Sequence, residues 1–265
     1  MELNNAVAVV TGASRGIGKA MLLGFAREGA RVVAVAPNAD DLAKVTEEAL
    51  GAGAPAALGI PADVTQETDV ERLAWQIDEE FGRVDVLVNH VGGGMHLLSQ
   101  NDPGLRSWAR TSTGPPFWDF PLAWWEQVQR LNVTATFLVS KAVTRRFFAR
   151  QRSGSIVNTS SGQGVRVIPL TGMTAYSTAK AGVNHMTRMM ASELRPLGVA
   201  ANAILVPLTK AGATEGTIFE ASRERSGGWY RPEVVVPVVL HLARQVVDYV
   251  ETYIMNSNKC FAVFR

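Results

Sequence analysis

Short apolar runs alternate with longer amphipathic stretches along most of this chain, and glycines, prolines and small polar residues punctuate them. Residues Ala6 to Val10 read Ala-Val-Ala-Val-Val, a short strand, and Lys19 to Glu28 carries a helical pattern. Arg31 to Ala36 is a second buried strand, followed by a helix over Asp40 to Leu50 that ends at Gly51 and Gly53. A third strand, Ala56 to Ile60, leads to an amphipathic helix over Glu67 to Phe81, and a fourth strand covers Val84 to Asn89. Strands alternating with helices imply parallel pairing through right-handed crossovers. The pattern predicts α/β architecture: one domain over 1–265, built on a doubly wound parallel β-sheet of about seven strands with helices on both faces.

The rhythm breaks once. From about 93 to 121 turn signals such as Asp102-Pro103-Gly104 and Thr113-Gly114-Pro115-Pro116 mark an insertion. Helix resumes from Leu122 through Ala149, a fifth strand covers Ser155 to Asn158, and a helix runs from about Ala175 to Leu197. The sixth strand is Val199 to Val206. A polar, glycine-bearing stretch over 208–228 reads as a mobile substrate loop, Pro232 starts a helix to about Arg244, and Tyr253 to Phe264 can form a last strand.

Composition narrows the function classes. Hydrophobic residues make up 47% and charged residues 19%, and a formal charge of +2 gives no broad basic field for nucleic acid. The opening residues lack the basic segment of a secretory signal, and no apolar run reaches the roughly 18 residues that span a membrane. A soluble, cytoplasmic protein is expected. Cys260 is the sole cysteine, and His90, His96, His185 and His241 are not spaced as metal ligands, so no metal is expected.

The first strand runs into Thr11-Gly12-Ala13-Ser14-Arg15-Gly16-Ile17-Gly18. Glycines let backbone approach a pyrophosphate closely, and the following helix start offers free N–H groups and a positive dipole end. The spacing is G-x-x-x-G-x-G, not the common G-x-G-x-x-G, and a glycine turn that binds nothing stays open at this point. An acidic residue about 20 positions on usually grips the adenine ribose of NAD. Here the second strand ends in Ala36-Pro37-Asn38, with no carboxylate, while Arg15 can meet a 2'-phosphate. NADP(H) is favoured and NAD(H) stays possible. Asp63, at the end of the third strand, suits either a ligand contact or a helix cap.

Four features stand together: TGASRGIG after the first strand, Asn132 in a helix, Ser161 after the fifth strand, and Tyr176-x-x-x-Lys180 on the next helix. Over residues 5 to 245 this set resembles the short-chain dehydrogenase/reductase family. The resemblance implies a Rossmann fold and an NADP(H)-dependent oxidoreductase that interconverts a ketone and a secondary alcohol. It implies Tyr176 as general acid/base, Lys180 as its activator, Ser161 as the hydroxyl orienting the carbonyl, and Asn132 in a proton relay. Gly12, Ser14, Arg15, Gly16, Ile17 and Gly18 would hold the pyrophosphate and ribose, with Asn38, Asp63 and Val64 towards the adenosine end. Asn89, Gly92, Tyr176, Lys180, Pro207 and Thr209 would hold the nicotinamide end. A homo-oligomer, tetramer or dimer, is implied through the helices at about 122–150 and 175–197. Reduction of an activated C=C or C=N bond, or non-catalytic dinucleotide binding, are the alternatives on the same scaffold.

The residue types suit these roles. Residues four apart share a helix face, and a cation about 4 Å away at an effective dielectric near 20 is worth about 4 kcal/mol. That would bring a tyrosine from about 10 towards neutrality. Ser161 is preferred to Ser160 because Ser161-Gly162-Gln163-Gly164 matches the family's serine, two residues and glycine. The chain departs from the family at Asn89-His90-Val91-Gly92, where Asn-Asn-Ala-Gly is usual, after the sixth strand, where Pro207 is followed by no glycine, and in its ending, which lacks the usual glycines.

The insertion carries Trp108, Phe117, Trp118 and Phe120, with Trp124 and Trp125 just beyond it. Aromatic surface of that size needs a partner to bury against. Because the segment leaves the carboxyl end of a parallel strand, where ligands bind, it is expected to close over the tetrad as a hydrophobic lid and to favour bulky apolar or aromatic carbonyl substrates.

The missing carboxylate at Ala36 and the presence of Arg15 predict tighter binding of NADP(H) than of NAD(H). Isothermal titration calorimetry checks this, and equal or tighter NAD(H) binding would overturn it.

Overall fold

In the computed structural model, five apolar-to-polar residues form β1 (Val7–Thr11) at the middle of the sheet. On one side lie β2 (Arg31–Ala36) and β3 (Ala57–Pro61). On the other lie β4 (Val86–Asn89), β5 (Gly154–Ser161), β6 (Val199–Val206), β7 (Thr252–Asn256) and β8 (Lys259–Ala262). The order is β3-β2-β1-β4-β5-β6-β7-β8, parallel throughout except for the antiparallel β7–β8 pair. The structure describes residues 1–94, 115–167, 171–206 and 230–245, with the backbone of β7 and β8.

The helices are α1 (Gly16–Arg27), α2 (Ala39–Gly51), α3 (Glu67–Phe81), α4 (Leu122–Gln129), α5 (Ala135–Val143), α6 (Thr174–Leu194) and α7 (Val236–Arg244). Successive strand residues point to opposite faces. Ala8, Val10, Val32 and Val88 pack with side chains of α1, α2 and α7, while Val7, Val9, Val33 and Leu87 pack with those of α3 and α5. Burial on both faces is why the strands read as unbroken apolar runs rather than alternating ones.

The chain leaves β1 in one direction through β2 and β3, then returns to start β4 on the other side of β1. In open α/β sheets the crevice at such a reversal, outside the carboxyl ends of the strands, is where ligands bind. The glycine turn after β1 and the His90–Gly94 segment after β4 both open onto it.

Several boundaries differ from expectation for identifiable reasons. The predicted last strand is two strands, β7 and β8, so the sheet has eight rather than about seven. β4 starts at Val86 because the Gln151 side chain takes both backbone groups of Val84, accepting from its N–H (3.1 Å) and donating to its carbonyl (2.6 Å). α6 ends at Leu194, just before Pro196, which has no N–H to continue it. The single helix expected over 122–149 is interrupted by two π turns, Arg130–Thr134 and Thr144–Phe148, and continues to Gln151. Single π turns inside α-helices are frequent at functional sites, and Asn132 sits in the first of these.

Candidate active site

Thr11 ends β1 and fastens the two sides of the crevice. Its hydroxyl oxygen accepts from the His90 N–H at 2.9 Å and the Val91 N–H at 3.3 Å. Beyond it Gly12 and Gly16 take φ of +68° and +55°, and a Cβ at Gly18 would overlap the Gly12 carbonyl oxygen. Only a glycine there lets the first turn of α1 close onto the loop. Arg15, at the N-cap, is exposed and makes no side-chain cap, and the first turn carries no acidic residue. The leading N–H groups of α1 therefore keep their capacity for an anion, and this cradle fits the diphosphate of a dinucleotide. Ser14 and Ile17 flank it, partly exposed.

The remaining residues assigned to the adenosine end sit at the neighbouring strand ends. Asn38 caps α2, its side-chain oxygen accepting from the Asp41 N–H at 2.9 Å. Asp63 accepts from the N–H (3.0 Å) and hydroxyl (2.7 Å) of Thr65, a local turn with its carboxylate exposed, and Val64 is buried beside it. Asn89 turns inward. Its amide donates to Ser140 Oγ (2.9 Å) and Asn158 Oδ1 (2.8 Å), and Asn158 donates to Thr187 Oγ1 (2.9 Å), so one buried chain of hydrogen bonds joins β4, α5, β5 and α6. Pro207, Thr209 and the 208–228 loop lie outside the described residues.

The four residues of the expected tetrad converge from three elements. In its π turn Asn132 is fully buried, its amide donating to the carbonyls of Gly93 and Val128, each at 2.8 Å, while its oxygen accepts from the Gly93 N–H at 3.0 Å. Gly92 shows how tightly the elements meet: a Cβ there would lie 2.6 Å from Asn132 Oδ1 and 3.0 Å from Lys180 Nζ. Lys180 is buried on α6, donates to the Thr159 carbonyl at 2.9 Å, and stands 5.8 Å from the centre of the Tyr176 ring. Ser161, the last residue of β5, accepts from the Gln163 N–H at 3.3 Å and lies beside Tyr176. Ser160 is turned the other way, its hydroxyl donating to the Lys180 carbonyl at 3.2 Å.

Sequence reasoning did not single out Thr11, Thr159 or the Ser177–Gln163 pair. Ser177 donates to Gln163 Oε1 at 3.0 Å and so ties the residue after Tyr176 to the turn after Ser161. A hydroxyl next to a motif carries no periodic signal, and only the three-dimensional proximity reveals it.

Electrostatics depart from expectation at Tyr176. Burial pushes its phenol above the ordinary value, with the neighbouring Ser161 hydroxyl acting in the opposite direction. Lys180 stands 5.8 Å from the ring centre, its ammonium donating to the Thr159 carbonyl. Burial lowers Lys180 to about 8. Burial, then the nearby Lys180 charge, lowers His90 to about 4.

Of the aromatic insertion, residues 95–114, including Trp108, lie outside the described residues. Phe117 and Trp118 form an exposed 3-10 turn, 73% and 82% accessible, whereas Phe120 packs against the buried cluster of Val128, Ala175 and Ala179, against which Tyr176 also packs. Among the described residues no cluster of His, Cys, Asp or Glu could hold a metal ion, and no helix is long and apolar enough to cross a membrane.

The short chain dehydrogenase family model matches residues 6–221. The chain belongs to the short-chain dehydrogenase/reductase family. Among curated relatives, the 3-oxoacyl-(acyl-carrier-protein) reductase FabG of Thermotoga maritima is 32% identical over 258 residues, covering 94% of this chain and 95% of that protein. A short-chain type dehydrogenase/reductase from Mycobacterium marinum superposes with a TM-score of 0.77 at 30% identity, covering 91% of this chain and 89% of that one. A variant of actinorhodin polyketide ketoreductase solved with NADPH gives 0.76 at 26% identity, with 90% of each chain covered. This short-chain dehydrogenase/reductase is accordingly an oxidoreductase on the Rossmann fold.

The His90 environment sets a pH dependence. Because the folded value lies below the ordinary 6.5, the unfolded chain takes up a proton between about 6.5 and about 4 that the folded chain refuses. This contribution should leave stability unaffected above that window and reduce it progressively as pH falls through it. Urea denaturation of wild type and His90→Leu from pH 7 to 4 checks this, the variant showing the shallower decline; parallel declines would contradict it.

Proposed function

We propose that this protein is an NADP(H)-dependent ketoreductase, interconverting a ketone and a secondary alcohol with Tyr176 as the proton-transferring group. The observation that carries the reading is the convergence of Ser161 and Tyr176 beside the buried Lys180, which stands 5.8 Å from the tyrosine ring centre. The cofactor supplies or accepts the hydride. The chain's own residues place and protonate the substrate oxygen.

Ser161 and Tyr176 present two hydroxyls side by side at the carboxyl end of β5, suited to binding one carbonyl oxygen. The raised pKa keeps the Tyr176 hydroxyl protonated, the form that carbonyl reduction draws on. Lys180 holds its position through the Thr159 carbonyl and favours the phenolate that forms when the proton leaves. Asn132, clasped to Gly93, fixes the distance between the β4 segment and this cluster. The named relatives, an acyl-carrier-protein reductase and a polyketide ketoreductase with NADPH, are consistent with reduction of a ketone and with NADPH.

Phe120 and Tyr176 packing against one buried cluster, with Phe117 and Trp118 exposed close by in sequence, supports an apolar or aromatic substrate and the lid role of the 93–121 segment. The half-exposed apolar side chains of Phe137 on α5 and Met189 on α6 support a homo-oligomer through those helices. Sedimentation velocity should then give a dimeric or tetrameric mass, and a single-chain mass would remove this reading.

Steady-state assays over a panel of ketones, with cofactor titrations, test the chemistry. Tyr176→Phe should lose more than about tenfold in kcat, a barrier increase above about 1.4 kcal/mol, while cofactor affinity is largely kept. A variant retaining more than about a tenth of wild-type kcat would exclude Tyr176 as the acid/base. Bulky apolar or aromatic ketones should be the better substrates; activity confined to small sugars and hydroxy acids would exclude the lid.

A further inference from the structure

The short turn that follows Ser161, Gly162–Gly164, is seated along one stripe of α6. A Cβ at Gly164 would lie 2.7 Å from the Lys180 carbonyl carbon and 2.9 Å from the Ala181 nitrogen, so the turn rests directly on the helix backbone. The Gly164 carbonyl accepts from the Asn184 amide at 3.3 Å, and Gln163 Oε1 accepts from the Ser177 hydroxyl at 3.0 Å. Ser177, Ala181 and Asn184 stand at i, i+4 and i+7, which share a helix face. Gln163 also touches Ser161: its backbone N–H donates to Ser161 Oγ at 3.3 Å and closes the cap of the turn. That bond engages a lone pair of the serine oxygen and leaves the hydroxyl proton for another acceptor, the state that a substrate carbonyl requires. One residue is therefore bonded through its main chain to Ser161 and through its side chain to the neighbour of Tyr176.

We propose that Gln163 is a positioning residue for the carbonyl reduction: through these two bonds it holds the Ser161 hydroxyl, as a donor, at a fixed separation from Tyr176. This rests on the roles proposed above for Ser161 and Tyr176. Gly164 and Asn184 seat the turn farther along α6, whereas the Gln163–Ser177 bond is the strut next to the tyrosine itself. Without it the turn stays attached, but the serine is free to shift. Misplacement of a reacting group by about 1 Å is enough to cost up to about a hundredfold in rate.

The test is a mutant cycle on the full-length protein, assayed with NADPH and the ketone that wild type reduces fastest in the panel above. Gln163→Met removes the acceptor at similar length, and Ser177→Ala removes the same bond from the helix side. Each should lower kcat about tenfold while NADPH affinity, read by calorimetry, stays within about twofold of wild type. Together they should lose no more than either alone. In a Ser161→Ala background either change should cost less than about twofold, because the hydroxyl whose place they fix is gone. Losses that persist in full in that background would overturn the proposal, and so would a Ser177→Ala enzyme with kcat within about twofold of wild type. A matching loss of NADPH affinity would mean a general loosening of the site and would equally overturn it. If Ser161→Ala itself keeps wild-type kcat, the proposed chemistry falls and Gln163 falls with it.

Discussion

Three hydrogen bonds from one amide hold the site together. Asn132 takes both backbone groups of Gly93 and reaches back to the carbonyl of Val128, so the exit of β4 and the helix beyond it cannot move independently. Each group is buried, where an unmade hydrogen bond costs about 1–3 kcal/mol. Gly92 sits inside this clasp, close enough to Asn132 and Lys180 that any side chain would force them apart. The spacing between the β4 exit, the Asn132 helix and α6 thus follows from one side chain and one absent side chain. Ser161 and Tyr176 inherit their relative positions from it, because α6 is tied to β5 through Lys180 and Thr159.

Below the clasp lies a second polar framework. Asn89, Ser140, Asn158 and Thr187 connect two strands to the two helices that flank the site, entirely within the interior. An apolar interior would pack these elements but leave their sliding weakly specified; directional bonds fix the registry. Asn89 illustrates how a residue in a binding motif can act through architecture: its side chain faces the interior, and its backbone carbonyl accepts from Thr159 Oγ1 at 2.9 Å.

Most of the architecture was legible in the chain because parallel strands buried on both faces leave an unmistakable pattern of short valine- and alanine-rich runs. The candidate tetrad came through the family resemblance that the order and spacing of Asn132, Ser161 and Tyr176-x-x-x-Lys180 carry, and the fold brings these side chains to one place. What the pattern did not carry were events without periodicity. Capture of Val84 by Gln151 shortens β4, and one extra residue per turn at Arg130–Thr134 leaves no compositional trace. The ionisation of Tyr176 was misread for a related reason. Helical spacing establishes that Lys180 shares a face with it, but not that enclosure would push the phenol upward.

The π turn around Asn132 has a consequence for how such a chain can change over generations. An α-helix advances about 100° per residue, and the wider π turn absorbs one residue more than an α turn holds, so Val128 on one side and Val139 on the other both still face the core. Losing one residue between Arg130 and Thr134 would let the turn close as ordinary α-helix with both flanks in phase. The extra residue is a shim: the packing of the helix does not need it, and its removal would disturb only the turn from which Asn132 reaches Gly93.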